Sequence, residues 1–552
     1  MNRLTKTATA LLVAGLVGGG AMSYWIFRHA TVSLSETYER LPDYSSQIVK
    51  EDVYLTAAKL RRLNGRLAFK PRSDLAAHPM ATPLDWSMNP FKDVNWQFQL
   101  HAWRMMDPLL NEYFKSGSQQ SLHEAFSYAL DWFSYHYERK LRATMAWYDM
   151  AAGIRAMKLA LFVDRYHAGE LKLRAEEAQR LMTLVDEHAT RLQDGGFIAD
   201  NNHGLFQVFG LNLLCTVAAD REPCAHGREF AEQRFSQLLE HQFTAEGVHR
   251  EHSPSYHFFV SRIINDLGGA KRFDDPKLTA ILEKTAAVEA WLLDPSGKEV
   301  AIGDSGSKAS RPSQQPESPV VGDFSRSGYA IVRGKGSMLF VTGMANSLTH
   351  KHADDLSFVL FEHGRPLFID SGKYGYANDP MRRYVESAAA HNTISLLNDE
   401  IGPSDITMSG SSLKSVATDE EGFSITGKIK RPGLFEQERK IRYVPGTSIV
   451  IHDEISSSSK QEFVSSLHLA GDLQPERVED GFDVSLPDGK TIRARLDPGS
   501  GNAPCRIEIA RGQNDPVLGW ETVDYLKMKP ASVARAICPG QTRSITWNIA
   551  LQ

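Results

Sequence analysis

The chain of 552 residues is predicted to fold as a helical N-terminal half followed by an antiparallel β-sandwich, an α+β multidomain class, on three observations. From about Ser33 to Leu293, apolar residues recur at intervals of three and four, the period of helices with one buried face. Beyond about Phe324 the period falls to two, the alternation of a strand with one side toward a core. Between them lies a passage rich in Gly, Ser and Pro, including Gly303-Asp304-Ser305-Gly306 and Ser313-Gln314-Gln315-Pro316, which reads as a boundary. A single hydrophobic core seldom grows to this length, so several domains are expected. The division drawn is an export segment over 1–30, a helical domain over 31–315 and a sandwich over 316–552.

The chain opens Met1-Asn2-Arg3-Leu4-Thr5-Lys6, continues as an apolar run from Thr7 to Phe27 and then meets Arg28-His29. A basic start, an apolar stretch able to span a bilayer at ~1.5 Å per residue, and Trp25 near one end mark an export segment. Ala21-Met22-Ser23 would serve as a cleavage site, whereas the apolar Tyr24-Trp25-Ile26-Phe27 suits a retained inner-membrane tether through residues 7–27; both readings stand. Either one places the bulk of the chain in the periplasm or outside the cell. Helical periodicity then marks Ser121–Arg142, Thr144–His167, Lys172–Gln193, Leu205–Ala219, Gly227–His241 and Tyr256–Gly268. Paired helices with no strand signal between them suggest an α-solenoid or hairpins closed into an (α/α) toroid, and the lack of a short repeat favours the ring. Strand alternation marks Tyr329–Arg333, Met338–Thr342, Leu356–Phe361, Ser448–His452 and Phe463–Leu469, separated by turn signals such as Glu362-His363-Gly364-Arg365-Pro366 and Pro487-Asp488-Gly489.

The net charge of −5 is small for the length and no long run of one sign occurs, which excludes a nucleic-acid binder that must neutralise phosphates. Four cysteines suit an oxidising compartment; Cys215 with Cys224 and Cys505 with Cys538 make two local bridges the simplest pairing. No Cys-x-x-Cys pair occurs, so a thiolate zinc site is not expected.

The residues able to do chemistry cluster in three places. His350-Lys351-His352, Asp370 and His391-Asn392 lie at strand mouths, where His352, Asp370 and His391 form an N/O set suited to Zn²⁺. Asn201-Asn202-His203 sits where one helical run gives way to another; amides and an imidazole there can donate hydrogen bonds to a carboxylate, although an asparagine before an apolar run is also an ordinary helix cap. Tyr256 follows Ser253-Pro254-Ser255 at a helix start, where a phenol can give or take a proton, or simply stand half-buried with its hydroxyl satisfied.

Together these residues resemble the heparinase II/III-like polysaccharide lyases, over roughly residues 45 to 545. The resemblance implies an (α/α) toroid, an antiparallel β-sandwich and β-elimination on a uronate. It assigns Asn202, with His203 beside it, to neutralising the uronate carboxylate, Tyr256 to acid or acid/base work, and His350 to proton transfer. It gives His352, Asp370 and His391 to a Zn²⁺ ion of structural role. Tyr384 is the nearest equivalent of a second cleft tyrosine, with Tyr374 and Tyr376 competing. Trp96, Trp147 and Arg155 match cleft-lining helices, Arg155 to hold an acidic sugar and the tryptophans to stack on a ring or fill the core.

The implied reaction removes the C5 proton, spreads the charge onto the carboxylate and expels the C4 oxygen, with Tyr256 protonating it and either Tyr256 or His350 acting as base. The expected partner is an acidic polysaccharide, a bacterial exopolysaccharide or a glycosaminoglycan-like polymer. Two rivals remain: a glycoside hydrolase using Asp354-Asp355, or Glu251 with Asp200, and a non-catalytic membrane-tethered module that holds an exopolysaccharide.

Overall fold

The computed structural model describes residue 41 and residues 62–552, apart from 73, 270–272, 274, 307–314, 344–345, 377, 399, 408–409, 458–459, 498 and 500–502 and the side chains of 267–269. The export segment over 1–30 and the tether through residues 7–27 lie outside the described residues. Among the described residues no helix is long and apolar enough to cross a membrane. The chain forms two compact units: one runs through Leu239 and takes in Asp266–Asp275, the other comprises Glu240–Asn265 and Pro276–Gln552.

The first unit carries helices α1 (Val94–His101), α2 (Asp107–Ser116), α3 (Gln119–Phe133), α4 (Asp149–His167), α5 (Ala175–Leu192), α6 (Asn202–Val217) and most of α7 (Gly227–Gln242). In α5, Ala178, Leu181, Met182, Val185, Ala189 and Leu192 make one buried stripe, with Glu176 and Glu177 in the first turn and Arg191 in the last, as the helix dipole favours. α4 and α6 are buried on nearly every side. They cross at glycines: a Cβ on Gly210 would fall 2.3 Å from the Gly153 carbonyl oxygen, and one on Gly153 would fall 2.5 Å from that of Phe206. The helical reading of this half needs one correction. Arg62–Leu63, Arg66–Phe69 and His78–Met80 form a three-stranded sheet, its first turn made by Asn64 (φ 50°) and Gly65 (φ 75°). Strands so short show no alternation, but Asn-Gly is the turn pair of a tight hairpin and was the available signal.

In the second unit a five-stranded antiparallel sheet, Val320–Phe324, Tyr329–Gly334, Ser337–Thr342, Phe358–Glu362 and Arg365–Phe368 in that order, is followed by an eight-stranded and a four-stranded sheet. The long strands alternate as expected: Phe423, Ile425 and Ile429 point inward while Lys428 and Lys430 are exposed. Trp547 is wholly buried, and its indole donates to Ser465 Oγ at 3.0 Å, tying the eight-stranded sheet to the four-stranded one. The five-stranded sheet is apolar on both faces. Ala330, Val332, Leu339 and Val341 enter the main sandwich core, while Tyr329, Ile331, Met338 and Phe340 pack against Val248, Val288, Leu292, Val300 and Ile302. This second face holds helices α8 (Pro254–Gly269) and α9 (Pro276–Glu289) with the sheets. Both disulfides are local, Cys215–Cys224 and Cys505–Cys538.

Candidate active site

The second unit builds its site from α8, the passage 303–306 and the mouths of two strands. Ser253 caps α8 through its Oγ, which accepts from the Tyr256 N–H at 3.3 Å, and Pro254 follows at the first helical position, where a missing N–H costs nothing. The motif thereby sets Tyr256 in the first turn. Ser305 locks that turn in place: its Oγ lies 2.7 Å from Ser253 Oγ and accepts from the Ser255 N–H at 3.1 Å. Gly303, at φ +53°, has no room for a side chain, since a Cβ would fall 2.5 Å from the His252 carbonyl oxygen and 2.9 Å from that of His350. This close approach carries Asp304 to His350.

His350 holds a left-handed backbone (φ 58°), uncommon for a residue with a side chain and frequent at sites where the surroundings fix it. Its ring stacks on Tyr256 with centroids 3.5 Å apart and planes at 16°. Nδ1 lies 2.9 Å from Asp304 Oδ2, and Nε2 lies 3.5 Å from Glu251 Oε2. Burial lowers the His350 pKa, against the opposing pull of Asp304. The two flanking carboxylates behave oppositely. Burial pushes Asp304 up, but hydrogen bonds from His350, His352 and Arg382 outweigh it and hold its pKa well below the ordinary value. Glu251 has no such donors: Oε2 is buried without a hydrogen-bond partner, and desolvation pushes the carboxyl up to about 7.

Asp304 also reaches the second histidine, His352, whose Nε2 lies 3.1 Å from Asp304 Oδ1. His352, Asp370 and His391 are buried together, each offering one ligand atom within 4.8 Å of the others. His391 Nδ1 lies 2.6 Å from Asp370 Oδ2. His352 Nδ1 and His391 Nε2 are buried with no hydrogen-bond partner. His352 thus has one nitrogen oriented by a carboxylate outside the trio and one left over, the arrangement in which a histidine holds a metal, and with His391 and Asp370 beside it the donor set suits Zn²⁺. Asn392 fixes the backbone here, its amide donating to the carbonyls of Phe358 at 2.7 Å and Ile369 at 2.9 Å and its oxygen accepting from the His468 N–H at 2.6 Å.

In the first unit Asn201 is the N-cap of α6, accepting from the His203 N–H at 2.9 Å, and Asn202, buried, is the first helical residue. The glycine crossing of α4 and α6 brings Asp149, at the start of α4, to His203: Nδ1 lies 3.1 and 3.2 Å from the two carboxylate oxygens. Tyr148 sits over the same imidazole, ring centroids 5.7 Å apart.

Two family models match the chain, the "Heparinase II/III N-terminus" over residues 29–275 and "Heparinase II/III-like, C-terminal" over residues 317–547. The chain belongs to the heparinase II/III family. Its fold is that of solved heparinase III structures, an (α/α) toroid followed by an antiparallel β-sandwich. A structure of heparinase III is similar at TM-score 0.69 and 15% identity, covering 98% of this chain and 91% of that one. A heparinase III BT4657 gene product is similar at TM-score 0.62 and 16% identity over 98% and 90%. The heparan sulfate lyase HepC from Pedobacter heparinus is similar at 0.61 and 14% over 93% and 83%. A comparison with curated proteins gives no match. The chain is a polysaccharide lyase.

Within the lyase, Tyr256 and His350 come together, as do His352, Asp370 and His391; Asn202 and His203 adjoin each other in the first unit. Three expectations are corrected. Arg155 is wholly buried, its Nε donating to His188 Nε2 at 3.0 Å and Nη1 to the His101 carbonyl at 2.8 Å, with Trp103, Trp132 and Trp147 around it; it braces helices and has no face left for a sugar. Trp96 is likewise enclosed, among Phe69, His78 and Phe91. Tyr384 is buried, its hydroxyl accepting from the Gly519 N–H at 3.2 Å, and it is Tyr376 whose hydroxyl lies 2.6 Å from that of Tyr256. Trp147 is half-buried, with the Arg191 guanidinium 4.5 Å from its ring centroid. Asp304 and Asp149 were not singled out from the sequence. Asp304 sat in a passage that reads as linker, and the only hint was an acid between two glycines.

Proposed function

We propose that this lyase cleaves a uronic-acid-containing polysaccharide by β-elimination, with a glycosaminoglycan-like polymer or a bacterial exopolysaccharide as substrate. The observation that carries this reading is the Tyr256–His350 stack with His350 Nδ1 engaged by Asp304. With that nitrogen occupied, Nε2 is the one able to accept the C5 proton, while the Tyr256 hydroxyl donates to the departing C4 oxygen. The electron pair of the C5–H bond becomes the C4=C5 double bond, and no water is consumed. Asn202 and His203 are given the carboxylate of the uronate on the strength of their motif, since stabilising the enolate-like state supplies most of the rate. Zn²⁺, when bound by His352, Asp370 and His391, would supply structural cross-linking of strand mouths. The N-terminal segment is proposed to export the protein, with or without a tether through residues 7–27.

The hydrolase reading loses support from its own candidates. Asp354 and Asp355 are buried and paired with Lys351, and Asp200 pairs with Arg234. Incubating the full chain with heparan sulfate, alginate and capsular uronans, with and without chelator, tests the proposal. Ultraviolet absorbance from an unsaturated product is the expected result. New reducing ends without that absorbance would mean hydrolysis, and binding without either would mean a non-catalytic module.

A further inference from the structure

Resting on the reading of Tyr256 as the acid, we propose that Lys373 is a positioning residue that acts on Tyr256 through Tyr376. The Lys373 ammonium lies 2.6 Å from the Tyr376 hydroxyl, which lies 2.6 Å from the Tyr256 hydroxyl. An ammonium has three donors and no lone pair, so Tyr376 accepts from Lys373. A hydroxyl polarised by a cation becomes the stronger donor through its own O–H, which directs that hydrogen onto the Tyr256 oxygen. Tyr256 therefore receives a hydrogen bond on the atom that turns negative once its proton has left.

The relay is held from two sides. The Lys373 N–H donates to the Ser305 carbonyl at 3.2 Å, beside Asp304. On the other side the hairpin of Trp520–Asp524 and Lys527–Pro530 grips the loop, Thr522 N–H donating to Ser371 O at 3.0 Å and Leu526 N–H to Tyr374 O at 2.8 Å. Leu526 packs so close that a Cβ on Gly375 would fall 2.5 Å from its Cδ2. The ammonium also lies 4.1 Å from the Tyr376 ring centroid and 5.6 Å from that of Tyr256, so its field reaches both rings.

In the step itself, the C5–H bond breaks and its proton passes to the base, while its electron pair forms C4=C5. The C4–O bond breaks and the leaving oxygen takes the Tyr256 proton. The phenolate so formed accepts from Tyr376, and Lys373 balances its charge until solvent restores the proton.

The test uses the full chain on heparan sulfate, or on whichever panel polymer the unmodified protein cleaves. Lys373→Met and Tyr376→Phe are expected to lower kcat about tenfold to a hundredfold with KM little changed, part of what a general acid contributes. Lys373→Arg should restore most of the loss, and the double variant should be no worse than either single one. With a uronate carrying a nitrophenolate group at C4, which leaves without protonation, the losses should vanish. Equal losses on both leaving groups, or a raised KM at unchanged kcat, would overturn the relay in favour of packing or direct substrate contact. Should Lys373→Met not fold, Tyr376→Phe carries the same comparison. An active protein indifferent to both changes sinks the relay alone; no unsaturated product from any uronate polymer sinks the elimination reading and the relay with it.

Discussion

Each compact unit presents a histidine whose Nδ1 faces a carboxylate and whose ring lies near a tyrosine, yet the two are built differently. At the start of α6, His203 meets Asp149, with side chains 24% and 29% exposed and the tyrosine ring tilted 59° at 5.7 Å. In the second unit His350 meets Asp304, whose side chain is 1% exposed and also serves His352 and Arg382, and the tyrosine is stacked flat at 3.5 Å. Asp149 is open to water, whereas Asp304 is closed off from it. The first pair orients one side chain, whereas the second joins His350 to the metal-type trio through a single carboxylate.

The largest expected consequence follows from that difference. Asp304→Ala removes the carboxylate shared by His350, His352 and Arg382, leaving the buried His352 Nε2 without its partner although Arg382 keeps Glu386, and should cost about 3–5 kcal/mol, against less than ~1 kcal/mol for Asp149→Ala, by denaturant unfolding. Equal losses would erase the distinction. Tyr256→Phe should lower kcat by ~10²- to 10⁴-fold at an unchanged melting temperature, while Tyr148→Phe, over the looser pair, should stay within a few-fold. Removing metal sharpens the contrast further: chelation or His352→Ala should lower melting temperature and activity together, with Zn²⁺ restoring the chelated protein, and metal analysis of the purified chain should find about one equivalent. A chelator-insensitive melt would leave the trio a hydrogen-bonded cluster. The smallest effect concerns Glu251, on the far side of His350. Its pKa rises from 4.5 to about 7 by burial, so between those values the folded chain keeps a proton that the unfolded chain has lost. Stability contributed by the neutral form is complete below 4.5 and declines as pH rises through about 7, by at most roughly 1.4 kcal/mol per unit. Glu251→Gln should flatten that slope in thermal melts; an unchanged slope would show that Glu251 is not its source.

The elements legible in the sequence were those with a period. Helices at Asp149–His167, Ala175–Leu192 and Gly227–Gln242 and strands at Tyr329–Gly334 and Ser448–Ser456 fall on the expected segments. Leu356 and Ser357, expected to begin a strand, instead form a turn in which Leu356 takes φ 59°, and the strand starts at Phe358. Motif residues were legible because their types are rare together: His350 with His352, Tyr256 behind Ser253-Pro254. Partners were not. Asp304 and His350 are 46 positions apart, and no local pattern announces that a glycine will let two loops touch. Arg155 misled for the same reason, since a guanidinium can be buried when a carbonyl, an imidazole and aromatic faces from several helices converge on it, and that convergence is tertiary.

Asn392 carries a consequence of its own. One amide side chain pins three separate strand backbones to a common point beside His391, so the imidazole inherits the rigidity of the sandwich rather than that of any loop.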